Sequence, residues 1–294
     1  MTERSASVVG VSTTSTADRG RALVAGLIDD AAVFPPGNAA VPDAVDAHRA
    51  HRRAWYADAI GPLLVRAGQV AELLAATRAG DDLRIGLIAD EGGLIGLAEA
   101  RNLLLDREDV ATLQQVEIAL PADHAPADAV RFLLDQLSFS AQAYVEVPRV
   151  PGWEAALDVL AEDGAERAKL RTGGATAQAH PTSGELAAFL RACLDRQLGF
   201  KLTAGLHHAV RTTTPEGFEQ HGVLNVLAAV AAGVAGADAA TLAGLLEDRR
   251  PQPLVERLAD ADILAVRRAF VSFGCCGVTD PLEDLRALGL LEKE

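Results

Sequence analysis

Along the chain, short runs of apolar and β-branched residues alternate with longer stretches whose apolar positions recur every three to four residues. These are the period-2 and period-3.6 signatures of strands and helices. The pattern predicts strands at 22–28, 61–66, 83–89, 113–120, 143–147, 167–171, 199–203 and 269–273. Each is followed by a predicted helix, at 42–58, 69–79, 93–106, 126–138, 152–163, 183–196, 217–233 and 280–290, with Asp43, Thr182 and Asp280 as candidate caps. Eight β-α repeats in right-handed series predict a closed α/β barrel, the (β/α)8 or TIM barrel. The competing open, doubly wound sheet carries a glycine-rich phosphate turn after its first strand, where this chain has Asp29-Asp30-Ala31-Ala32. The seventh unit is overlong. Between Phe218 and Arg268 there is room for helices at 217–234, 238–247 and 253–258, an extended helical insertion between strands 7 and 8 that can cap the barrel or join two copies as a homo-oligomer. The expectation is one barrel domain over 21–294 after a loose Ser- and Thr-rich tail at 1–20.

The balance of 27 Lys+Arg against 41 Asp+Glu gives a formal charge of −14, with no basic run to reverse it locally. Such a field repels phosphate backbones and anionic lipid, so neither nucleic acid nor a membrane surface is an expected partner. No stretch reads as a span; the alanine-rich 223–236 segment comes nearest. Cys193, Cys275 and Cys276 cannot build a disulfide framework and show no C-x-x-C spacing, which points to a reducing, cytoplasmic setting. The first twenty residues lack a basic start followed by an apolar stretch, so no secretory leader is expected.

Of the 27 basic residues only Lys169, Lys201 and Lys293 are lysines. In a chain that otherwise uses arginine, a lysine inside an ordered segment raises the question of what an amine does that a guanidinium cannot. An amine can lose its proton and attack a carbonyl, whereas arginine stays charged. Reactive groups in a barrel sit at the carboxyl ends of the strands. Here those ends carry Asp29-Asp30, Glu117, Glu146, Lys169-Leu170-Arg171-Thr172-Gly173-Gly174 and Lys201-Leu202-Thr203-Ala204-Gly205. The i, i+2 rule of strands turns Lys169 and Arg171 to one face, as it does Lys201 and Thr203. Strands about 4.8 Å apart would then set two ammonium groups in mutual repulsion, and one would give up its proton to become a nucleophile for an aldehyde or ketone. The inert alternative is an interior ion network in which both lysines pair with Glu146, Glu117 or Asp29.

At this point the chain resembles the deoxyribose-phosphate aldolase type of class I aldolase barrel. The residues that carry the resemblance are 27–36 after strand 1, Val116-Glu117-Ile118-Ala119-Leu120 in strand 4, Lys169-Leu170-Arg171-Thr172-Gly173, Lys201-Leu202-Thr203-Ala204-Gly205, and Phe273-Gly274-Cys275-Cys276-Gly277-Val278 after strand 8. The resemblance implies a Schiff base on Lys169, tuned by Lys201, and a phosphate turn at Gly274 and Cys275. Departures are Arg171 where the family has a small hydroxyl residue, Glu117 for an aspartate, and Cys275-Cys276 for phosphate-binding hydroxyls. The 200–211 segment also resembles a wider set of uncharacterised barrels.

The loop after strand 7, Gly205-Leu206-His207-His208-Ala209-Val210-Arg211, adds two imidazoles, which titrate near pH ~6.5 and can shuttle a proton. Arg171 or Arg211 can hold a carboxylate or phosphate, with Gly173, Gly174, Gly205, Gly274 and Cys275 completing an anion cradle. The reading is a lyase on a small anionic carbonyl compound, with Lys169 as nucleophile (the opposite assignment to Lys201 stays open), Glu117, Glu146 or Asp29 relaying protons, and no cofactor. Two alternatives stand beside it: a divalent-metal lyase or hydrolase using His207, His208, Glu146 and Asp29, and a barrel that binds an anion without catalysis. For Cys275-Cys276 the reading is a small-residue turn rather than a nucleophile beside His207.

Overall fold

The computed structural model describes residues 16–121, 123–137 and 139–292. Its centre is a closed parallel barrel of eight strands: β1 (Ile28–Asp30), β2 (Ile60–Arg66), β3 (Leu83–Ile88), β4 (Ala111–Ala119), β5 (Gln142–Glu146), β6 (Arg167–Arg171), β7 (Phe200–Thr203) and, after a two-stranded antiparallel hairpin of β8 (Thr212–Thr213) and β9 (Glu219–Gln220), β10 (Phe270–Cys275). β10 closes the ring by pairing with both β7 and β1.

Helices alternate with the strands: α1 (Thr16–Val24), α2 (Val41–His51), α3 (Val70–Ala76), α4 (Gly93–Leu105), α5 (Pro126–Gln136), α6 (Trp153–Asp163) and α7 (Ser183–Asp195). The expected insertion is present as α8 (Val223–Val234), α9 (Ala239–Glu247), α10 (Pro251–Ala259) and α11 (Ile263–Ala269), followed after β10 by α12 (Thr279–Ala287). Every residue of α8 from Val223 to Gly233 is buried, because α7, α9, α10 and α11 all pack on it. A helix apolar on every side is stable only when covered in this way.

Differences from the expected elements have local causes. The apolar run at 22–28 is divided: α1 continues through Val24, and β1 begins only at Ile28. A short apolar run has no period to separate helix from strand. Of the expected tail, residues 16–20 belong to α1 and residues 1–15 lie outside the described part. The expected helix at 42–58 ends at His51, and the hairpin takes part of the segment expected to open the seventh helix. Thr182 caps α7 in a capping box with Glu185, whereas Asp43 and Asp280 lie inside the first turns of α2 and α12. There they favour the helices through the macrodipole.

The strand pattern separates two environments. Outward positions such as Val116, Ile118, Ala168, Leu170, Phe200 and Leu202 form the apolar layer under the helices, and the charged residues between them turn into the lumen. Strand glycines make room for those charges. A Cβ on Gly61 would fall on the Asp29 carboxylate, and one on Gly86 would press on Leu64 and Gln115. Replacing Gly61 by alanine is therefore expected to destabilise the chain by about 2 kcal/mol, the usual result of overpacking a close-packed interior. Urea unfolding of Gly61→Ala against wild type checks this, and an unchanged midpoint would show that Asp29 does not occupy that space.

Candidate functional site

The parallel register sets Lys169 of β6 directly beside Lys201 of β7, and Glu146 of β5 beside Lys169. One carboxylate stands between the two amines: Glu117 of β4 has Oε2 in an ion pair 2.6 Å from Lys169 Nζ, and its Oε1 accepts from Lys201 Nζ at 2.5 Å. Each lysine has a second acid. Lys201 also contacts Asp29, and Lys169 lies 2.9 Å from Glu146 Oε2. Glu146 is shared in turn, its Oε1 accepting from Arg171 Nε at 3.0 Å. Two polar side chains complete the inner end. Gln115 Nε2 donates to Asp29 Oδ2 at 3.0 Å and to Glu117 Oε1 at 3.1 Å, and Ser272 Oγ donates to Asp29 Oδ2 at 3.0 Å. The Tyr144 ring lies 5.1 Å from Lys201 Nζ, close enough for its face to favour the cation.

Exposure grades along this chain of charges, from 0% at Lys201 through 3% at Lys169 and 14% at Glu146 to 48% at Arg171. Three carboxylates face three cations, and the expectation of two mutually repelling amines is corrected accordingly. Burial alone would drive the Lys201 ammonium toward neutrality, but Asp29 and Glu117 outweigh it and hold the amine above its usual range. Burial likewise works to raise Glu117, yet Lys169 and Lys201 together bring it down to about 2. Glu146 is lowered against its own burial by Lys169 and Arg171, while burial prevails at Asp29 and raises it.

The other expected site residues are dispersed. His207 lies on a mouth cavity of about 580 Å³ between the Pro35-Pro36 turn, the loops after β6 and β7 and the hairpin. Its Nδ1 is 3.6 Å from Cys275 Sγ, and burial lowers the imidazole below its ordinary value. His208 also borders this cavity, but its Nδ1 is held by Asp284 Oδ2 at 3.1 Å. Among the described residues no group of three or more His, Cys, Asp or Glu side chains is placed to hold a metal ion. The set His207, His208, Glu146 and Asp29 is not brought together, since the two acids are taken up by the lysines. Arg211 also points elsewhere, bridging Ser183, His221 and Glu219 at the base of the hairpin.

Gly173 and Gly205 serve a close approach of two loops. A Cβ on Gly173 would meet the Ala204 carbonyl, and Gly205 has φ +112° against Thr172. Gly174 and Gly205 line the mouth cavity. Gly274 lies within β10, facing Leu64 and Thr203, and Cys275 is buried with its thiol donating to the Gly277 carbonyl at 3.3 Å. Burial pushes that thiol up, away from the thiolate form, and Cys275 is not among the residues that line the mouth cavity.

Sequence reasoning missed Gln115, Ser272 and Tyr144. Gln115 was accessible from its i, i+2 relation to Glu117, whereas Ser272 becomes visible only through the register that pairs it with Lys201. It also missed His180, which lines both the mouth cavity and a neighbouring cavity of about 690 Å³ that reaches Glu146, Arg149 and Arg171. His180 Nε2 donates to the Gly174 carbonyl at 3.0 Å, and its ring stacks on Phe218 of the hairpin at 4.8 Å.

The arrangement is that of a (β/α)8 barrel with a charged, strand-end lysine network. Compared with protein-family models, curated proteins and solved structures, the chain finds no match. No helix among the described residues is long and apolar enough to cross a membrane.

Because Glu117 titrates near 2 when folded and near 4.5 when unfolded, its contribution to stability is complete above pH 4.5 and is lost as the pH falls toward 2. Glu146 acts with the same sign and Asp29 with the opposite one. Urea midpoints are therefore expected to fall progressively from pH ~4.5 toward ~2. Glu117→Gln, which leaves two buried ammonium groups without their shared counter-charge, is expected to lose about 3 kcal/mol at pH ~7 and to show a shallower acid slope. A variant as stable and as acid-sensitive as wild type would remove Glu117 from this role.

Proposed function

We propose that this barrel is a class I aldolase-like lyase that forms an imine between Lys169 and a small carbonyl substrate. The observation that carries the reading is the single Glu117 carboxylate held between two lysines on adjacent strands. A buried ion network gives little net stability compared with apolar packing of the same volume, so its concentration at the strand ends favours a chemical role. The resemblance to the deoxyribose-phosphate aldolase type, with its reactive lysine in strand 6 and tuning lysine in strand 7, supports the same assignment.

Within this reading the two lysines divide the work. Lys201, enclosed and held charged by Asp29 and Glu117, keeps a fixed positive charge beside the reaction. Lys169 sits one step nearer solvent and passes its proton to Glu146, the least buried acid it touches. The free amine adds to the carbonyl carbon, forming the C–N bond, and the carbonyl oxygen takes up the proton. Loss of that oxygen as water, with a second proton, leaves a protonated imine of the same charge as the starting ammonium. The imine then accepts the electron pair of the neighbouring C–C bond as it breaks, while a carboxylate takes the proton from the β-hydroxyl of the departing aldehyde.

Borohydride reduction with a panel of small aldehydes and ketones, followed by intact-mass measurement and peptide mapping, tests the reading. A stable adduct on the Lys169 peptide, absent in Lys169→Arg, is the expected result, together with turnover that survives EDTA. An adduct confined to Lys201 would reverse the assignment, and no adduct across the panel would sink the imine.

A further inference from the structure

Resting on the reading of Lys169 as the reacting amine, we propose that Gln115 is the positioning residue that selects it: the Gln115 amide binds Glu117 and Asp29 to Lys201, and Lys169 is left as the lysine that can give up its proton. Gln115 and Glu117 are i, i+2 on β4 and both turn into the lumen. The Gln115 Nε2 donates to Asp29 Oδ2 at 3.0 Å and to Glu117 Oε1 at 3.1 Å, and Lys201 Nζ donates to the same two oxygens. An ionised carboxylate oxygen can only accept, so the NH2 end of the amide is the end that belongs there. Amide and ammonium thus close a ring of two donors across two acceptors, one oxygen from each acid. The fold reserves the space for it. Gly86 of β3 pairs with Gln115, and a Cβ there would come within 3.0 Å of the Gln115 Cγ and 3.2 Å of its Nε2.

The other oxygen of Glu117 is held differently. Oε2 lies 2.6 Å from Lys169 Nζ as an ion pair and has no hydrogen-bond partner among the described residues. When the Lys169 charge is lost, Glu117 keeps both donors on Oε1. Loss of the Lys201 charge would instead remove the cation from between two buried acids that repel each other, a repulsion that already works to raise Asp29. Gln115 offsets that repulsion with a neutral donor, which brings no proton of its own into the network.

The surrounding charges fix the sign of the effect. Lys201 is faced by Asp29 of β1, Glu117 of β4 and the Tyr144 ring of β5, with Lys169 beside it on β6. Lys169 is faced by Glu117 and by Glu146 of β5, which Arg171 shares. Arg267 of α11 acts on Asp29 and Tyr144, and Arg167 of β6 on Tyr144. Removing the amide leaves all of these in place but takes a donor from Glu117 Oε1. Glu117 then draws more strongly on Lys169 through Oε2, and the amine becomes free only at a higher pH.

The test is reductive methylation with formaldehyde and cyanoborohydride over a range of pH, each lysine read by peptide mapping and its rate divided by that of a free amino acid in the same tube. The amine adds to formaldehyde, water leaves, and hydride from the cyanoborohydride reduces the iminium to a methylamine. In wild type Lys169 is expected to be methylated and Lys201 protected. In Gln115→Met, which keeps the bulk and removes the donor, the pH of half-maximal Lys169 labelling is expected to rise by about one unit, with a high-pH plateau equal to that of wild type. An unmoved profile, or a loss equal at every pH, would overturn the role of Gln115, as would Lys201 labelled as readily as Lys169 in wild type. Should Gln115→Met not fold, the side-chain amide protons of Gln115 in wild type decide by NMR. They are expected to move downfield over the interval in which Lys169 becomes reactive, and an amide indifferent to that interval overturns the proposal. If the methylation profile behaves as expected while the carbonyl panel leaves no borohydride adduct, the imine falls and the role of Gln115 stands. A Lys169 that resists methylation at every pH overturns both.

Discussion

A carboxylate held between two ammonium groups in the lumen of a parallel barrel is the constraint on which the rest of this structure turns. Glu117 has no access to water, so it can stay ionised only while Lys169 and Lys201 both reach it, and they reach it only because β6 and β7 are in a register that sets the two lysines side by side. The neighbouring polar groups follow from the same requirement. Asp29 gives Lys201, and Glu146 gives Lys169, a second carboxylate, Gln115 ties Asp29 to Glu117, and Ser272 satisfies a further lone pair of Asp29. Gly61, Gly86 and Gly274 appear where a side chain would intrude on this interior. A lumen filled with branched apolar residues would serve the barrel at least as well for stability. What the charged filling adds is a set of ion-paired side chains at fixed positions whose exposure rises from Lys201 to Arg171.

That gradient separates the environments of chemically identical groups. Lys201 and Lys169 share Glu117, yet one is enclosed between two acids and an aromatic face while the other borders an acid that is itself in reach of the cavity. Proton transfer needs a partner whose charge can change without stranding another buried charge. Of the three acids in the network, Glu146 is the most exposed and is backed by a half-exposed guanidinium. Burial thus separates the two lysines where residue type does not.

Much of the architecture was legible in the sequence, because each strand-end charge is flanked by apolar residues, as in Ala168-Lys169-Leu170, Phe200-Lys201-Leu202 and Val116-Glu117-Ile118, and this is what a strand with a polar lumen and an apolar outer face must look like. The pairing of particular acids with particular lysines was not legible. It depends on register between strands separated by tens of residues, and a shift of one residue would turn Glu117 out of the lumen. The same limit applies to His207 and His208, adjacent in sequence but diverging to Cys275 and Asp284 because consecutive residues in a bent loop face opposite ways. The hairpin escaped notice because Thr212–Thr213 and Glu219–Gln220 are too short and too polar to carry a period.

The helical insertion gains a structural meaning from the polar contacts at its base. Asn225, enclosed in α8, gives Nδ2 to the carbonyls of Leu245 and Asp248 at 2.8 and 2.7 Å, and its Oδ1 accepts the backbone N–H of Arg211 at 2.7 Å. Arg211 in turn joins His221 and Glu219, and Arg249 reaches Thr213 and Glu219. The hairpin is therefore fastened to the insertion on one side and, through Phe218 on His180, to the loop after β6 on the other. Between these anchors Ala204 and Leu206 adopt left-handed backbone angles of +56° and +58°, conformations that non-glycine residues take only under constraint. Thr172 supplies part of that constraint by donating to the Ala204 carbonyl at 2.9 Å. The shape of this mouth is therefore set by contacts from the insertion, the hairpin and the loop after β6 together, and not by any one loop alone.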